Sequence, residues 1–373
     1  METLSRMSTM KKILLITIED TYLAPKFEGG KEYHVASKLD IARVIDLLSD
    51  YFEVEHINLP DFDISRNYKN YYVIYPSCER RGLFYKGFIE DLLIKLEKDG
   101  AILIPRFELF RAHANKVCQE LIRSSFHSTM LRKPQSFVIG KFEDLEADRF
   151  ISFPYVVKSA SGSGSSGVIL AKNKEEFISA VKKLSEVTYL DYYYTNRRDF
   201  FYLPVIWLIK VLVYKMLGKP QSLTHPKRVM NDNKVIIQEF IEGLDSDFKV
   251  LYYFGKYFVL NRKNRVNDFR ASGSGKFVFP ADVAEIENIL NFAEICSKEI
   301  DAPMISMDIG RTATGACYLI EFQCLDFGPY TIQFSDWHFR KGSRGWEKVV
   351  GKIDLETETV QSIIQYIDEL QRC

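Results

Sequence analysis

Residues 153–170, FPYVVKSASGSGSSGVIL, constrain this chain more than any other stretch. Two β-favouring runs, Val156-Val157 and Val168-Ile169-Leu170, enclose a segment too rich in glycine and serine to continue as helix or strand. The pattern predicts strand, loop, strand. Gly162, Gly164 and Gly167 free the backbone to turn and to approach a ligand closely. Ser159, Ser161, Ser163, Ser165 and Ser166 add hydroxyls, and successive free N–H groups form a concave anion site. Lys158 sets a fixed positive charge beside it. The loop lacks a GK[ST] ending, no helix follows it directly, and it does not match GxGxxG, so it is neither a P-loop nor a dinucleotide fingerprint. Two readings stand on these residues alone: a mobile hairpin, or a loop that covers phosphates.

The 373 residues suffice for two or three domains with cores of their own. Lys+Arg and Asp+Glu are equal at 50 each, which leaves no electrostatic footprint for nucleic acid. The 6 cysteines form no CxxC and no zinc-like cluster with histidine, and they read as free thiols of a reducing cytoplasm. Residues 1–10 lack the apolar core of a signal peptide and read as a disordered tail.

Alternating patterns then organise the chain. Strands are expected at 11–18, 53–59, 71–76 and 101–105, with helices at 33–52 and 84–98 between them. That alternation predicts a small Rossmann-like parallel-sheet domain over 11–110. Ser77-Cys78-Glu79-Arg80-Arg81 falls at a strand end, where the arginines either hold a carboxylate or form a solvated turn. A helix over 111–123, capped near Asn115, opens a second region, 111–237. It continues with a strand at 136–139, the glycine-rich stretch, and a helix at 173–184. Residues 185–232 read as an insertion. Its centre, 200–217, is apolar almost throughout, but Pro204, Lys210 and Lys215 argue against a membrane span. Three readings stay open for it: packing on the protein's own body, lying in the membrane interface at the inner face, or meeting a partner. The third region, 238–373, is β-rich. It has a hairpin over 248–260 turning at Gly255-Lys256, a second glycine-rich loop over 267–277, a helix at 284–300, strands at 304–309 and 316–323, and a closing helix at 356–370. The fold class is α/β, passing to α+β in the C-terminal part.

Asp308 and Glu321 each sit inside an apolar run, ISMDIG and YLIEFQ. A buried carboxylate is costly unless paired or bound to metal. Two acids on neighbouring strands, facing one way and with no Cys or His beside them, suit Mg2+ or Mn2+ with phosphate oxygens completing the shell. The alternative is that each acid pairs with a nearby Arg or Lys.

The ordered set HANK with Lys116, FPYVVKSASGSGSSG with Lys158, IIQEFIEG, SDFKV, NDFR and MDIG…LIEFQ resembles the ATP-grasp superfamily over residues 111–323. The SDFKV…NDFR portion is most similar to the ribosomal-protein-S6 glutamate ligase branch. The resemblance implies an ATP-grasp fold after a Rossmann-like domain, and an ATP-dependent carboxylate–amine ligase that works through an acyl phosphate. It implies that Lys116 and Lys158 contact ATP phosphates, that Ser161, Gly162, Ser163, Gly164, Ser165, Ser166 and Gly167 fold over them, and that Gln238, Glu239, Phe240 and Ile241 border the adenine. Asp247 and Lys249 would complete the nucleotide contacts. Asp308, Glu321 and Gln323 would hold Mg2+, with Mn2+ as a substitute. Arg270 would face the reacting phosphate and acyl group, with Arg262 a second candidate and Lys158 adding charge. The family has Glu-x-Asn where this chain has Glu321-Phe322-Gln323, and the extra methylene moves the amide oxygen by about 1.5 Å. The implied partners are ATP, small-molecule, peptide or glycan-linked carboxylates and amines, and a second copy of the chain. Phosphoryl transfer to another acceptor, or nucleotide binding without turnover, are the alternative functions.

Overall fold

A computed structural model describes residues 10–18, 26–29, 34–37, 39–78, 83–161, 167–186, 213, 216–217, 233–244, 246–264 and 277–372. They sort into two compact units. One is built from the described residues of Met1–Glu79, Tyr85–Pro134 and Ile241–Cys373, the other from those of Arg80–Phe84 and Gln135–Phe240.

The first unit begins with β1 (Lys12–Thr17), β2 (Lys26–Gly29), β3 (His34–Ser37), α1 (Ile41–Ser49), β4 (Glu53–Asn58), β5 (Tyr71–Ile74), α2 (Phe84–Asp99) and β6 (Ile102–Ile104). The parallel strands run in the order β4-β1-β5-β6. Strands covered on both faces carry unbroken apolar runs rather than alternation. Accordingly Ile13, Leu14 and Leu15 of β1, and Val73 and Ile74 of β5, are all buried. The helix expected over 33–52 starts only at Ile41. Residues 34–37 pair as a strand with 26–29. Asp40 caps α1, its side chain accepting from the Arg43 N–H. An N-cap carboxylate satisfies a donor that the first helical turn leaves open, so the helix begins there. Further on, α3 (Phe107–Ala112) and α4 (Lys116–Ser124) replace the single helix expected over 111–123. Asn115 caps α4 as its position suggested, accepting from the Cys118 N–H. Ala114 just before it has φ 52°, a left-handed conformation that a continuous helix cannot contain.

The second unit holds β7 (Ser136–Ile139), β8 (Tyr155–Ser159), β9 (Val168–Ala171), α5 (Lys174–Ser185) and β10 (Val235–Glu239). Its antiparallel sheet runs β7-β10-β8-β9. The two strands expected in 153–170 therefore form and pair, with Lys158 opposite Val168, while residues 162–166 between them lie outside the described residues. Val157, Val235 and Ile237 of the sheet pack on Phe177 and Val181 of α5.

The first unit resumes with β11 (Ser246–Tyr253), β12 (Lys256–Lys263), β13 (Phe277–Val278), α6 (Val283–Ile300), β14 (Met304–Arg311), β15 (Cys317–Gln323), α7 (Tyr330–Phe334), β16 (Trp337–Gly342), β17 (Gly345–Val350) and α8 (Leu355–Leu370). The sheet path is β15-β14-β11-β12-β16-β17, with β13 beside β12. One face packs on α6 through Phe248, Val250, Val259, Met307, Ile309 and Leu319. The other face presents Leu251, Tyr253 and Phe258 to Val360, Ile363 and Ile367 of α8, in a core shared with Ile13, Leu15 and Ile74 of the parallel sheet. The β11–β12 turn falls at Phe254-Gly255, both at positive φ, one residue earlier than expected. Residues 201–212, most of the apolar stretch, lie outside the described residues, as do Arg80, Arg81 and 265–276. Among the described residues no helix is long and apolar enough to cross a membrane.

Because Ile363 is fully buried where α8 meets both sheets, Ile363→Ala should lower the unfolding free energy by about 2–5 kcal/mol in urea denaturation. A loss below about 1 kcal/mol would show that α8 is not part of that core.

Candidate active site

Alternation along a strand decides which side chains share a surface. On β14, Ile305, Met307 and Ile309 enter the α6 core, so Ser306 and Asp308 occupy the opposite face. On β11, Phe248 and Val250 enter it, which leaves Asp247 and Lys249 on Asp308's side. Arg262 of β12 pairs across from Asp247. On β15, Cys317 and Leu319 point into the core, and strict alternation would send Glu321 after them. Phe322 goes in instead, because the ladder slips: Asp308 pairs with Glu321, but Ile309 pairs with Leu319. Ile320 is the extra residue of a β-bulge, which turns Glu321 onto the face that carries Asp308.

The side chains on that face form one charged cluster. Arg262 is 7% exposed. Its Nε and Nη2 donate to the two carboxylate oxygens of Asp247 at 2.6 and 2.7 Å. The same Nη2 lies 2.8 Å from Asp308 Oδ2. Lys249 Nζ donates to Ser306 Oγ at 2.9 Å and stands 3.8 Å from Asp308 Oδ1. Lys116, the first residue of α4, reaches Glu321 Oε1 at 3.4 Å. Asp308 Oδ1 is buried without a hydrogen-bond partner among the described residues. Burial, with the Asp308 charge nearby, pushes Asp247 up to about 6 against the pull of Arg262. Burial also opposes charge on Asp308, yet Arg262 and Lys249 outweigh it and hold that carboxyl below its ordinary range. Carboxylate oxygens with an amide, Gln323, opposite Ser306 are donors of the kind that a hard divalent cation takes, and Asp308 Oδ1 is the atom left over for one.

Most of the other expected residues belong to the second unit. Lys158 Nζ donates to Gln238 Oε1 at 2.6 Å, and Gln238 Nε2 donates to Ser136 Oγ at 3.0 Å. The Glu239 carboxylate accepts from the Gln135 N–H at 2.9 Å. Phe240 lies just past β10, and Ile241, the next residue, opens the first unit's final segment; both are half-buried. The Ser161 carbonyl accepts from the Ser159 hydroxyl at 2.6 Å. Gly167 has φ 74°, and a Cβ there would lie 2.3 Å from Ser159 Oγ, so only glycine fits. Gly162, Ser163, Gly164, Ser165, Ser166 and Arg270 lie outside the described residues. Sequence reasoning missed Ser306, which shares Asp308's face by the period of two, and Ser136, which orients Gln238.

No family model matches this sequence, and no curated protein matches it. Solved structures do. D-alanine–D-alanine ligase from Bacillus anthracis complexed with ATP superposes with a TM-score of 0.50 at 14% identity, over 98% of this chain and 99% of that one. The same ligase in a second structure gives 0.50 at 12% identity, over 97% and 99%. The chain thus has the ATP-grasp fold, a mixed α/β architecture of one parallel and several antiparallel sheets.

Two measurements check the cluster. Arg262→Met removes the buried cation that two half-buried acids share and should lower the unfolding free energy by roughly 3–5 kcal/mol. A loss under about 1 kcal/mol would mean the acids need no such partner. A carboxyl raised on folding from about 3.9 to about 6 stabilises the fold fully below about pH 4 and loses that contribution as pH rises through about 6. The stability of the wild-type chain minus that of Asp247→Asn should therefore grow as pH falls from about 7 to about 4. A flat difference contradicts the raised value.

Proposed function

We propose that the chain is an ATP-dependent carboxylate–amine ligase. The observation that carries the reading is the outward-turned pair Asp308 and Glu321 on one sheet face, with Arg262, Lys249 and Lys116 around them and one Asp308 oxygen left without a hydrogen bond among the described residues. The ATP-grasp fold supports it. A carboxylate is a poor electrophile near neutral pH, and transfer of the γ-phosphoryl group of ATP onto its oxygen makes it an acyl phosphate. An amine then attacks the carbonyl carbon, the C–O bond to phosphate breaks, and the amine proton leaves with the products, ADP and phosphate. The protein's share in such chemistry is positioning and charge neutralisation.

Asp308 and Glu321, with Gln323, are the residues that hold Mg2+ in this reading. When bound, that ion draws charge from the phosphoryl oxygens as a Lewis acid. Lys116 moves from its ion pair with Glu321 to phosphate oxygens. Lys249 and Arg262 keep the field positive at the reacting oxygens, and Arg270 adds to it. On the second unit, Lys158 takes a phosphate oxygen, Gln238 holds it in place, and Glu239 and the residues after it border the base. No protein nucleophile takes part.

The test is an assay of ADP release across a panel of small carboxylates, with hydroxylamine standing in for the amine. A carboxylate that stimulates ADP release should accumulate as its hydroxamate, and Asp308→Asn or Glu321→Gln should each lower turnover by at least about 100-fold. If stimulating carboxylates never yield a hydroxamate, the ligase reading fails. If turnover survives either substitution, the metal assignment fails.

A further inference from the structure

We infer that Arg123 is the positioning residue for Glu321 and that it acts by bracing the β-bulge at Ile320; the inference rests on the reading above, in which Glu321 holds the metal. At a bulge the ladder is interrupted and the extra residue loses its regular pairing. Arg123 reaches that interruption from α4. Its Nη1 donates to the carbonyl oxygen of Leu319 and, at 3.4 Å, to that of Ile320. Its Nη2 pairs with the Glu120 carboxylate one turn back on the same helix. The Arg123 side chain is 4% exposed, so the guanidinium is fixed on backbone rather than sampling solvent.

The same helix begins with Lys116, two turns before Arg123 and on the same side, 3.4 Å from Glu321. One rigid element therefore grips β15 at the bulge carbonyls and at the acid the bulge redirects. Strand parity gives this grip its consequence. Without the bulge, Glu321 would fall in phase with Leu319 and point into the α6 core, and Phe322 would take its place on the charged face. A carboxylate in that core is costly, so loss of the brace loosens Glu321 rather than inverting the strand. Residues that orient a metal ligand from behind typically affect metal affinity by about 10- to 100-fold.

The experiment titrates the full chain with Mn2+ in the presence of ADP and reads bound metal by electron paramagnetic resonance, beside kcat and KM for ATP. Arg123→Met should raise the Mn2+ dissociation constant by about 10- to 100-fold and lower kcat more than it raises KM. Arg123→Lys, a compact charge that cannot span both carbonyls, should fall between it and wild type, and it carries the test if Arg123→Met does not fold. Ile289→Val, a loss of one methyl group in the same core that leaves Arg123 and both its carbonyl partners in place, should leave the metal affinity within about twofold. A folded Arg123 variant that also stays within about twofold overturns the inference. A wild-type chain that binds no Mn2+ overturns the metal assignment beneath it, an outcome visible before any variant is made.

Discussion

Arg262 carries its charge in a place nearly closed to water, and that charge has to be met by the protein itself. Asp247 meets it through both carboxylate oxygens, and Asp308 through one. The arrangement is asymmetric. Asp247 is raised by burial and by its neighbour, while Asp308 is kept ionised by Arg262 and Lys249 together. One oxygen of Asp308 is thereby left buried, 3.8 Å from Lys249 Nζ and without a hydrogen bond among the described residues. A low-dielectric site that holds a carboxylate ionised and incompletely satisfied is what supports the proposal that it takes a cation arriving with a ligand. The rest of the face is built around that condition, with Lys249 fixed by Ser306 and Lys116 placed against Glu321 by the start of α4.

Much of this was legible in the sequence, and the misses have identifiable causes. Asp308 and Glu321 stood out because each interrupts an apolar run, and the shared face follows from the period of two. The bulge was readable too: in CYLIEFQ the core-facing residues are Cys317, Leu319 and Phe322, a step of two followed by a step of three. The pairing of Asp247 with Arg262 was hidden by the turn. Centring it on Gly255-Lys256 instead of Phe254-Gly255 shifts the register by two and places Asn264, not Arg262, opposite Asp247. The start of α1 was misplaced because Val35 and Leu39 suit helical spacing as well as a strand that ends before Asp40. The hairpin of β16 and β17 is hidden in the sequence because charges such as Arg340, Lys341, Glu347 and Lys348 obscure its alternation. Arg123 is not legible as a site residue, because a lone basic residue late in an amphipathic helix ordinarily faces solvent.

The two units divide the recognised motifs between them. The first holds the acids and the cations that answer them. The second holds Lys158, fixed on Gln238, which is fixed in turn on Ser136. Such chains of hydrogen bonds are how a sheet presents a long, flexible lysine in one place, since the side chain otherwise loses about 2 kcal/mol of rotamer freedom on being ordered. The glycine-rich stretch contributes a second kind of order at its end, where Gly167 closes on Ser159 at a positive φ and so near Ser159 Oγ that a side chain would be strained.

The central claim is that a carboxylate oxygen becomes the acceptor of a phosphoryl group. An oxygen-18 label follows that oxygen directly. With a carboxylate substrate labelled at both oxygens, turnover in the presence of an amine should release phosphate carrying one labelled oxygen, the bridge of the acyl phosphate that broke. Phosphate released without label, while amide accumulates, would contradict the account.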